Sequence, residues 1–366
     1  MHAMSDQVEA TPALVIDLPK VEHNIARLAA YAREHGLGVR PHTKTHKSLR
    51  IARLQLEQGA IGLAVAKAGE AEVMAEASRD LMVAYPAIDA HRTARLAKLA
   101  HVATVRVAVD SSEGIDALAS AAGSARSILG VLVDLDVGYH RTGVQSPAES
   151  LALARHASKH KSLRLDGLFF YPGHIGVPAD QQAPELRRID AMLNEAIELW
   201  KRAGLAAPIV SGGSTPTAYQ SHLLPSLTEI RPGTYPYNDM NTVRGGFCTL
   251  DDCAAVLVCT VVSNAVPGKV VIDAGTKTLT SDRNSRFPES GHGHVVEYPH
   301  AKIVRLSEEH GEVDVTGCDR KPKIGERVRV IPNHICPCVN LQDTVWIQDY
   351  DGKQTSMRID ARGKLS

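Results

Sequence analysis

The sequence has no excess of either charge and few aromatic residues. Lys and Arg together number 41, Asp and Glu also number 41, and only 4% of the 366 residues are Phe, Trp or Tyr. Proteins that bind nucleic acids usually offer a basic surface to the phosphates and aromatic rings to the bases. The composition therefore predicts no nucleic-acid partner.

Long apolar runs are also missing. No stretch reaches the ~20 apolar residues that cross a bilayer, and the N-terminal segment MHAMSDQVEATPALV lacks the basic region and apolar core of a secretory signal. The six cysteines, at 248, 253, 259, 318, 336 and 338, all lie in the last third of the chain. Such cysteines are expected to be reduced thiols or metal ligands. We therefore predict a cytoplasmic protein with no membrane partner.

Short apolar segments alternate with amphipathic helical segments from about residue 14 to residue 244. The first pair is ALVIDL at 13–18 and VEHNIARLAAYAREHG at 21–36, and about eight such strand–helix units follow one another. The strands are nearly continuous in apolar and β-branched residues, as buried parallel strands require. No GxGxxG sequence follows the first strand, so the pattern favours a (β/α)8 barrel over a doubly wound sheet.

The sequence pattern changes after residue 244. Segments such as AAVLVCTVVSNA, RVRVIPNHICPCVNL and TVWIQDY are typical of strands joined by turns. We predict an α/β fold with an N-terminal TIM-like barrel over residues 14–244. A C-terminal β-rich domain would cover residues 245–366, with residues 1–13 packing on it.

The segment RPHTKTHKS at 40–48 places a lysine after the second predicted strand. Active sites of barrel enzymes lie at the C-terminal ends of the strands, so Lys44 is a candidate catalytic residue. The neighbouring cations and imidazoles are Arg40, His42, His46 and Lys47. Nearby cations favour a neutral amine, which suits Schiff-base chemistry. The alternative is a surface loop of solvated cations.

Two turns near the end of the predicted barrel are candidates for binding a phosphate. SGGSTPT at 211–217 and RPGTY at 231–235 place glycines and small hydroxyls in adjacent late units. Barrels often bind a phosphate there, through exposed backbone N–H groups. One such turn is a weak indication, and two in adjacent units strengthen it.

The segment NHICPCVN at 333–340 is a candidate metal site. His334 and Cys336 are two residues apart, so on a strand both side chains would face the same way, and imidazole with thiolate suits zinc or a similar ion. Water or a substrate oxygen would have to fill the other positions. The alternative is a buried histidine beside an inert buried cysteine. Cys338 ranks as a spare thiol, because Pro337 disfavours a regular strand.

These motifs, in this order, resemble one family: the fold-type III pyridoxal-phosphate enzymes of the D-threonine aldolase and D-serine dehydratase group. The further matching segments are TPALVIDLPKVEHNI, VDLDVGYHRTGV, LFFYPGH, EIRPGTY and VIDAGTK. The resemblance covers nearly the whole chain. It implies an alanine racemase-like barrel, a C-terminal β-domain, and a homodimer whose active sites lie near the subunit interface.

The resemblance also implies roles for individual residues. Lys44 would hold pyridoxal 5′-phosphate, with Arg141 near its phenolic oxygen and Tyr171 near its pyridine nitrogen. The phosphate contacts would be Gly213, Ser214, Gly233 and Thr234, with Tyr235 beside them. A divalent metal (manganese, zinc or magnesium) would be held by His334 and Cys336. Without the resemblance, Arg141 is better explained as a surface cation and Tyr171 as a core tyrosine.

A tyrosine at the pyridine nitrogen would leave the ring a weak electron sink. A metal acting on the substrate's 3-hydroxyl would compensate for this. The chain departs from the family pattern at two places. Some aldolases of the group carry an acidic residue in place of Cys336, and some carry a later histidine as the base for the hydroxyl. Here His174, within YPGHIGVPAD, is a candidate base and equally a candidate structural histidine.

The resemblance implies a lyase whose small-molecule substrates are 3-hydroxy D-amino acids. Retro-aldol cleavage to glycine and an aldehyde, as by a D-threonine aldolase, is favoured. The alternative is a dehydratase of D-serine or D-threo-3-hydroxyaspartate, which forms a keto acid and ammonia; Cys336 and the missing later histidine favour it. Which proton leaves first decides between them. An amino-acid racemase and a non-catalytic pyridoxal-phosphate carrier are less favoured, because neither needs the metal pair.

Overall fold

The computed structural model describes residues 8–284 and 286–366, and the chain divides into two compact units. The barrel unit comprises Ile25–Lys44, Ser48–Gly233 and Gly363–Ser366. The sheet unit comprises the described residues up to Asn24 together with Thr45–Lys47 and Thr234–Arg362. The chain first forms strand β1 (Ala13–Asp17) and helix α1 (Leu18–Glu34), close to the predicted positions.

The barrel unit is built on eight parallel strands. They are β2 (Gly38–Val39), β3 (Leu63–Val65), β4 (Asp80–Val83), β5 (Thr104–Val109), β6 (Leu129–Asp134), β7 (Leu163–Phe169), β8 (Ile209–Gly212) and β9 (Glu229–Ile230). Their order is β2-β9-β8-β7-β6-β5-β4-β3. A parallel bridge between His42 and Ala64 joins the two ends of this order. The predicted eight-stranded α/β barrel is therefore confirmed.

Helices connect these strands and cover their outer face. They are α2 (Leu49–Glu57), α3 (Ala68–Met74), α4 (Ala90–Leu99), α5 (Ser112–Ala125), α6 (Pro147–Ala157) and α7 (Ala183–Arg202), with 3₁₀ segments at Ala179–Gln181 and Ala218–Leu223. Side-chain N-caps start α2, α4, α5 and α6; the capping residues are Ser48, Asp89, Ser111 and Ser146. Each accepts the N–H three residues on and stabilises its helix by about 1 kcal/mol. All six residues of β6 are buried, as expected for a strand covered on both faces.

The sheet unit joins β1 to eight later strands in one nine-stranded sheet. These are β10 (Ala255–Ser263), β11 (Lys269–Ile272), β12 (Gly293–Val295), β13 (Lys302–Leu306), β14 (Gly311–Asp314), β15 (Arg327–Pro332), β16 (Thr344–Gln348) and β17 (Gln354–Arg358). The short helices are α8 (Met240–Arg244), α9 (Thr276–Leu279) and α10 (Ile335–Leu341), with 3₁₀ segments at Leu250–Asp252 and Pro288–Ser290. The β-rich second half agrees with the sequence pattern. None of the helices among the described residues is long and apolar enough to cross a membrane.

The first predicted strand does not belong to the barrel. β1 pairs antiparallel with β10 and parallel with β16, and the barrel begins instead at the two-residue strand β2. Residues 14–24 and 234–244 therefore lie in the sheet unit, so the units do not coincide with a boundary at 244. The expected packing of residues 1–13 falls partly outside the described residues. Of the described part, Val8 and Ala13 join a hydrophobic cluster with Val258 of β10.

Candidate functional site

The barrel unit carries most of the predicted cofactor residues at one end. Lys44 follows β2, Arg141 lies in the loop after β6, Tyr171 follows β7, Gly213 and Ser214 follow β8, and Gly233 follows β9. Because all eight strands are parallel, their C-terminal ends meet at the same end of the barrel. The strand order makes β2, β9, β8, β7 and β6 consecutive neighbours. The fold therefore brings these residues to one end of the barrel, and their roles stay predictions.

Lys44 is an exposed residue within a buried segment. The residues on both sides of it, 41–43 and 45–48, are all buried. Its backbone N–H donates to Nδ1 of His42 at 3.3 Å, and the hydroxyl of Thr43 donates to Glu70 at 3.0 Å. The backbone at Lys44 is thus held in place while its amine projects into solvent, as a residue that binds a cofactor covalently requires.

The cations expected around Lys44 have partners of their own. Arg40 is buried, and its guanidinium binds Glu229 at 2.9 Å and Asp80 at 2.5 Å. Lys47 donates to Oδ1 of Asn340 at 2.8 Å. Two carboxylates therefore offset the charge of Arg40, whereas the partner of Lys47 is a neutral amide. The cationic surrounding of Lys44 stays a prediction.

The turn after β8 depends on two glycines. A Cβ atom on Gly212 would lie 2.0 Å from the ring of Phe170, so no side chain fits there. Gly213 has φ +84°, which glycine adopts without strain. The N–H groups of Gly213 and Gly233 donate to no other described residue. Two such N–H groups on neighbouring strand ends fit the oxygens of a phosphate.

Ser214 stabilises this turn through Thr217. The N–H of Ser214 donates to the hydroxyl of Thr217 at 3.1 Å, and the N–H of Thr217 donates to the hydroxyl of Ser214 at 3.3 Å. The Ser214 hydroxyl is therefore a structural acceptor, which leaves the glycine N–H groups as the more direct candidates for an anion.

Arg231, which the sequence analysis did not single out, ties three strand ends together. Its guanidinium donates to the hydroxyl of Ser211 at 2.6 Å and to the carbonyl of Phe170 at 2.7 Å. Its central carbon lies 3.6 Å from the centre of the Phe169 ring. Burial lowers the pKa of Arg231 to about 10, against the opposing effect of Glu229. Arg231 is the first residue of RPGTY and directly follows β9. This position at a strand end is the sequence feature that could have identified it.

Arg141 and Tyr171 lie together. The guanidinium carbon of Arg141 is 4.7 Å from the ring centre of Tyr171 and 5.0 Å from that of Tyr139. The two tyrosine rings meet edge to face with centres 5.2 Å apart. Tyr171 is only half-buried, so it is not a core tyrosine. Arg141 is exposed, but its position beside two rings is more specific than that of an ordinary surface cation.

The carboxylate of Asp136 holds the loop that carries Arg141. Asp136 accepts the N–H groups of Gly138, Tyr139 and His140, each at 3.0 Å. Burial alone would raise the pKa of Asp136, but these hydrogen bonds outweigh it and hold the pKa at about 2. Asp134 and Asp136 both lie in VDLDVGYHRTGV. The sequence does not show which hydrogen bonds either carboxylate makes.

Asp134 behaves in the opposite way. It lies at the end of β6, accepts a hydrogen bond from the hydroxyl of Thr142 at 2.8 Å, and is buried. Burial raises the pKa of Asp134 to about 6, although that hydrogen bond and the charge of Arg231 act to lower it. Asp134 also lines a small cavity together with Arg141 and Tyr171.

His174 lies three residues beyond Tyr171 and is held by a carboxylate. Its Nε2 is 2.8 Å from Oε1 of Glu185 on α7, and Arg188 binds the same oxygen at 2.6 Å. Its Nδ1 is buried and has no hydrogen-bond partner among the described residues. A histidine oriented by a carboxylate can act as a general base.

In the sheet unit, His334 and Cys336 lie at the start of a helix. β15 ends at Pro332 and α10 begins at Ile335, so the strand predicted through 333–340 is wrong. The physical reason is Pro337, which suits the first turn of a helix and cannot join a strand ladder. The side chains of His334 and Cys336 nevertheless lie near each other, since Cys336 raises the pKa of His334. The helix start thus brings the pair together by a different geometry.

The surroundings of this pair suit a bound cation. Nδ1 of His334 is 2.8 Å from a carboxylate oxygen of Asp282. A histidine that binds a metal usually makes such a contact through its other ring nitrogen. Burial would lower the pKa of His334, but Cys336 and the carboxylates Asp239 and Asp282 raise it to about 9. Nowhere in the described chain does a third His, Cys, Asp or Glu complete a ligand group with this pair. Two protein ligands leave positions open for water or substrate, as in a catalytic site.

Three further predicted residues lie in the sheet unit. The hydroxyl of Thr234 is 3.9 Å from Sγ of Cys336, and Thr45, the residue after Lys44 in the chain, lies 3.1 Å from the same sulfur. Tyr235 is buried. Cys338 is also buried and donates to the carbonyl of Thr278 at 2.9 Å, consistent with a spare thiol.

Family models cover most of the chain. Residues 16–241 match the model of the alanine racemase N-terminal domain, and residues 254–347 match the model of a serine dehydratase domain.

Curated relatives and crystal structures span nearly the full length. The D-threonine aldolase of Arthrobacter sp is 30% identical, with 96% of this chain and 93% of the relative covered. The D-threo-3-hydroxyaspartate dehydratase of Delftia sp. (strain HT23) is 31% identical, with 89% and 90% covered. The crystal structure of D-threonine aldolase from Filomicrobium marinum superposes with a TM-score of 0.90, 28% identity, and 98% and 97% covered. A cysteine-to-alanine mutant of a D-threo-3-hydroxyaspartate dehydratase, in the metal-free form, has a TM-score of 0.88 at 28% identity, with 95% of this chain and 97% of that one covered.

Proposed function

The chain belongs to the family of the alanine racemase N-terminal domain, as the sequence motifs predicted, and from this premise we propose a pyridoxal-phosphate- and metal-dependent lyase of 3-hydroxy D-amino acids. D-threonine aldolase activity is the first choice. Relatives named as aldolases and as dehydratases both support a lyase. The observation that carries the proposal is the placement of Lys44 and the glycine turns after β8 and β9 at neighbouring strand ends of one barrel.

The barrel end supplies the groups that a pyridoxal phosphate needs. The amine of Lys44 would hold the cofactor covalently, and the N–H groups of Gly213 and Gly233 would donate to its phosphate. The remaining cofactor contacts that we propose are Arg141, Tyr171, Ser214, Thr234 and Tyr235. When bound, pyridoxal phosphate accepts electron density from the substrate's α-carbon.

His334 and Cys336 are the proposed metal ligands, and manganese, zinc or magnesium is the proposed ion. When bound, the ion acts as a Lewis acid on the 3-hydroxyl of the substrate. Asp282 fixes the ring of His334 by its hydrogen bond to Nδ1. A D-threo-3-hydroxyaspartate dehydratase that superposes on this chain is described in a metal-free form, which supports a metal in such proteins.

Retro-aldol cleavage needs a base for the 3-hydroxyl proton, and we assign this role to His174. Glu185 holds its Nε2 and so orients the ring, and the proton would be taken by Nδ1, which is buried in this structure. Removal of that proton allows the Cα–Cβ bond to break, which yields glycine and an aldehyde.

Dehydration is the second candidate, and the pairing of His334 with a cysteine favours it. Elimination begins with loss of the α-proton, for which the Lys44 amine is the natural base, and it does not require His174. A keto acid and ammonia are the products.

Product analysis separates the two reactions. The purified protein with pyridoxal phosphate is given D-threonine, D-serine and D-threo-3-hydroxyaspartate, each with manganese or zinc and after EDTA treatment. Glycine with an aldehyde, lost on chelation and in His174→Gln, supports the aldolase. Ammonia with a keto acid, retained in His174→Gln, supports the dehydratase. Lyase activity that survives chelation contradicts the metal assignment, whereas racemisation of the substrate without either pair of products favours a racemase.

Three further proposals concern the whole protein. We propose a homodimer, a cytoplasmic location, and a small D-amino acid as the substrate, without nucleic-acid or membrane partners. The balanced charge of the chain supports the absence of a nucleic-acid partner. Light scattering after size-exclusion chromatography tests the dimer, which a mass of one chain would contradict.

A further inference from the structure

The outer helices of the barrel unit carry three side chains of types that bind metals. Asp116 lies on α5, His156 lies on α6, and His160 lies in the turn after α6. Nε2 of His156 is 2.7 Å from Oδ1 of Asp116, and Nε2 of His160 is 3.1 Å from the same oxygen. The ligand atoms of all three lie within 4.8 Å of one another, and no other group of three does so in the described parts of the chain.

These separations are close to those of a metal site. Ligand atoms around a tetrahedral zinc ion lie roughly 3.3 Å apart, since the bonds are about 2.0–2.1 Å long. The observed 2.7 and 3.1 Å are slightly shorter, because a hydrogen bond joins His156 to the carboxylate and His160 lies within ion-pair distance of the same oxygen. A cation that takes the place of these protons requires only a small outward movement of the three side chains.

The backbone holds the two histidines in this position. His156 lies in the last turn of α6 and His160 in the turn that follows, and their ring centres are 5.2 Å apart. The N–H of His160 donates to the carbonyl of Ala157 at 3.1 Å. Ser162 anchors the same turn to α5 by donating to the carbonyl of Ala119 at 2.8 Å. The segment that carries His160 is therefore fixed to the helix that carries Asp116.

The group is open to solvent and carries a negative charge. The side chain of Asp116 is 56% exposed, and those of His156 and His160 are 30% and 31% exposed. The hydrogen bond from His156 lowers the pKa of Asp116, so its carboxylate is charged at neutral pH. Two imidazoles and a carboxylate suit zinc and similar divalent ions.

We propose that Asp116, His156 and His160 bind one divalent transition-metal ion of the zinc type, in addition to the ion assigned to His334 and Cys336. Water completes the coordination, and the ion links α5 to the turn after α6. The site stabilises the barrel unit and takes no part in the lyase reaction. This inference does not rest on the proposed function.

The test counts bound zinc in the full chain. The cofactor-loaded protein is stripped with EDTA, dialysed to equilibrium with Zn²⁺, and analysed by elemental mass spectrometry. The wild type is expected to hold one ion per chain more than the double variant His156→Ala/His160→Ala. In a Cys336→Ala background the same double substitution removes one further ion per chain. The exposed pair His23→Ala/His91→Ala is the matched control and keeps the wild-type content.

Equal zinc content in the wild type and the double variant overturns the proposal, as does an equal loss in the control pair. Asp116→Asn removes the charged ligand but keeps a side chain of the same shape, so it tests the site without deleting the histidines. In the Cys336→Ala background, zinc is expected to raise the Tm, and not to raise it once Asp116→Asn is added. A zinc-dependent rise of the same size in Cys336→Ala and in Cys336→Ala/Asp116→Asn also overturns the proposal.

Discussion

The barrel end and the start of α10 provide chemistry by different means. At the barrel end, we propose that backbone N–H groups of the glycine turns bind the phosphate, and that only Lys44 must be of a particular type. At the start of α10, the two proposed ligands are side chains, and Asp282 binds the ring of one of them. A site made by the backbone follows from strand order and tolerates many substitutions. A site made by side chains depends on each residue.

The largest expected effect is at Lys44, the one side chain at the barrel end that we expect to be irreplaceable. Lys44→Ala removes the amine that would hold the cofactor, so lyase activity and the yellow absorbance of the bound cofactor should both become undetectable. Spectroscopy of the purified variant, with activity assays, measures this. Lys20→Ala is the matched control, since Lys20 lies on α1 in the sheet unit. Retained absorbance in Lys44→Ala would falsify the assignment.

The second largest effect is expected at Cys336. Cys336→Ala leaves one protein ligand, so metal-dependent activity should fall by about 100-fold or more, because the loss of a ligand exceeds the ~10–100-fold cost of losing a partner of a ligand. The cofactor absorbance should stay as in the wild type. This result would show that the two regions can be disabled separately. Loss of the absorbance as well would contradict that separation.

A substitution of Asp282 tests whether the proposed metal site at the start of α10 also depends on a residue that is not itself a ligand. Asp282→Asn weakens the hydrogen bond that orients His334, and a decrease of roughly 10–100-fold in metal affinity or activity is expected. Metal titration of the stripped protein measures it. Asp319→Asn, an exposed position in the same unit, is the control. If both variants behave alike, Asp282 has no special role at the metal.

The same contrast explains what could be predicted from the sequence. The alternation of buried strands and helices predicts the barrel, and the rule that barrel sites lie at C-terminal strand ends then predicts Lys44 and the glycine turns. The ALVIDL segment fits either sheet, because a buried apolar strand has the same sequence pattern in both. Only its pairing with β10 and β16 distinguishes them.

Side-chain partners were harder to predict, because they come from distant parts of the chain. His334 and Cys336 were identified as a pair, but the strand geometry was wrong. Asp282, which binds His334, lies 52 residues away and belongs to no motif. The group of Asp116, His156 and His160 was missed for the same reason, since its carboxylate is 40 residues from the nearer histidine.

Substitutions in the turn after β8 test whether the barrel end tolerates changes of side chain as long as the backbone conformation is kept. Ser214→Ala removes a hydroxyl already engaged with Thr217 and should weaken cofactor affinity less than tenfold. Gly213→Ala forces a Cβ into a left-handed conformation, which costs about 1–2 kcal/mol, or roughly tenfold in affinity. Titration of the apoenzyme with pyridoxal phosphate compares the two. A larger loss in Ser214→Ala would mean that the hydroxyl, and not the backbone, binds the phosphate.

The smallest effect is expected at Asp136, which accepts three backbone N–H groups of the loop that carries Arg141. Its pKa of about 2 lies below the ~3.9 of an unfolded aspartate, so its charge stabilises the fold above about pH 4, and this contribution is lost as the pH falls towards 2. Asp136→Asn should therefore lower the free energy of unfolding by about 1–2 kcal/mol at pH 7 and by less at pH 3. Urea denaturation at both pH values measures this, with Asp319→Asn as the control. If the free energy of unfolding decreases equally at both pH values, the cause is altered packing of the loop. A large loss of activity would mean that this part of the barrel end also depends on individual side chains.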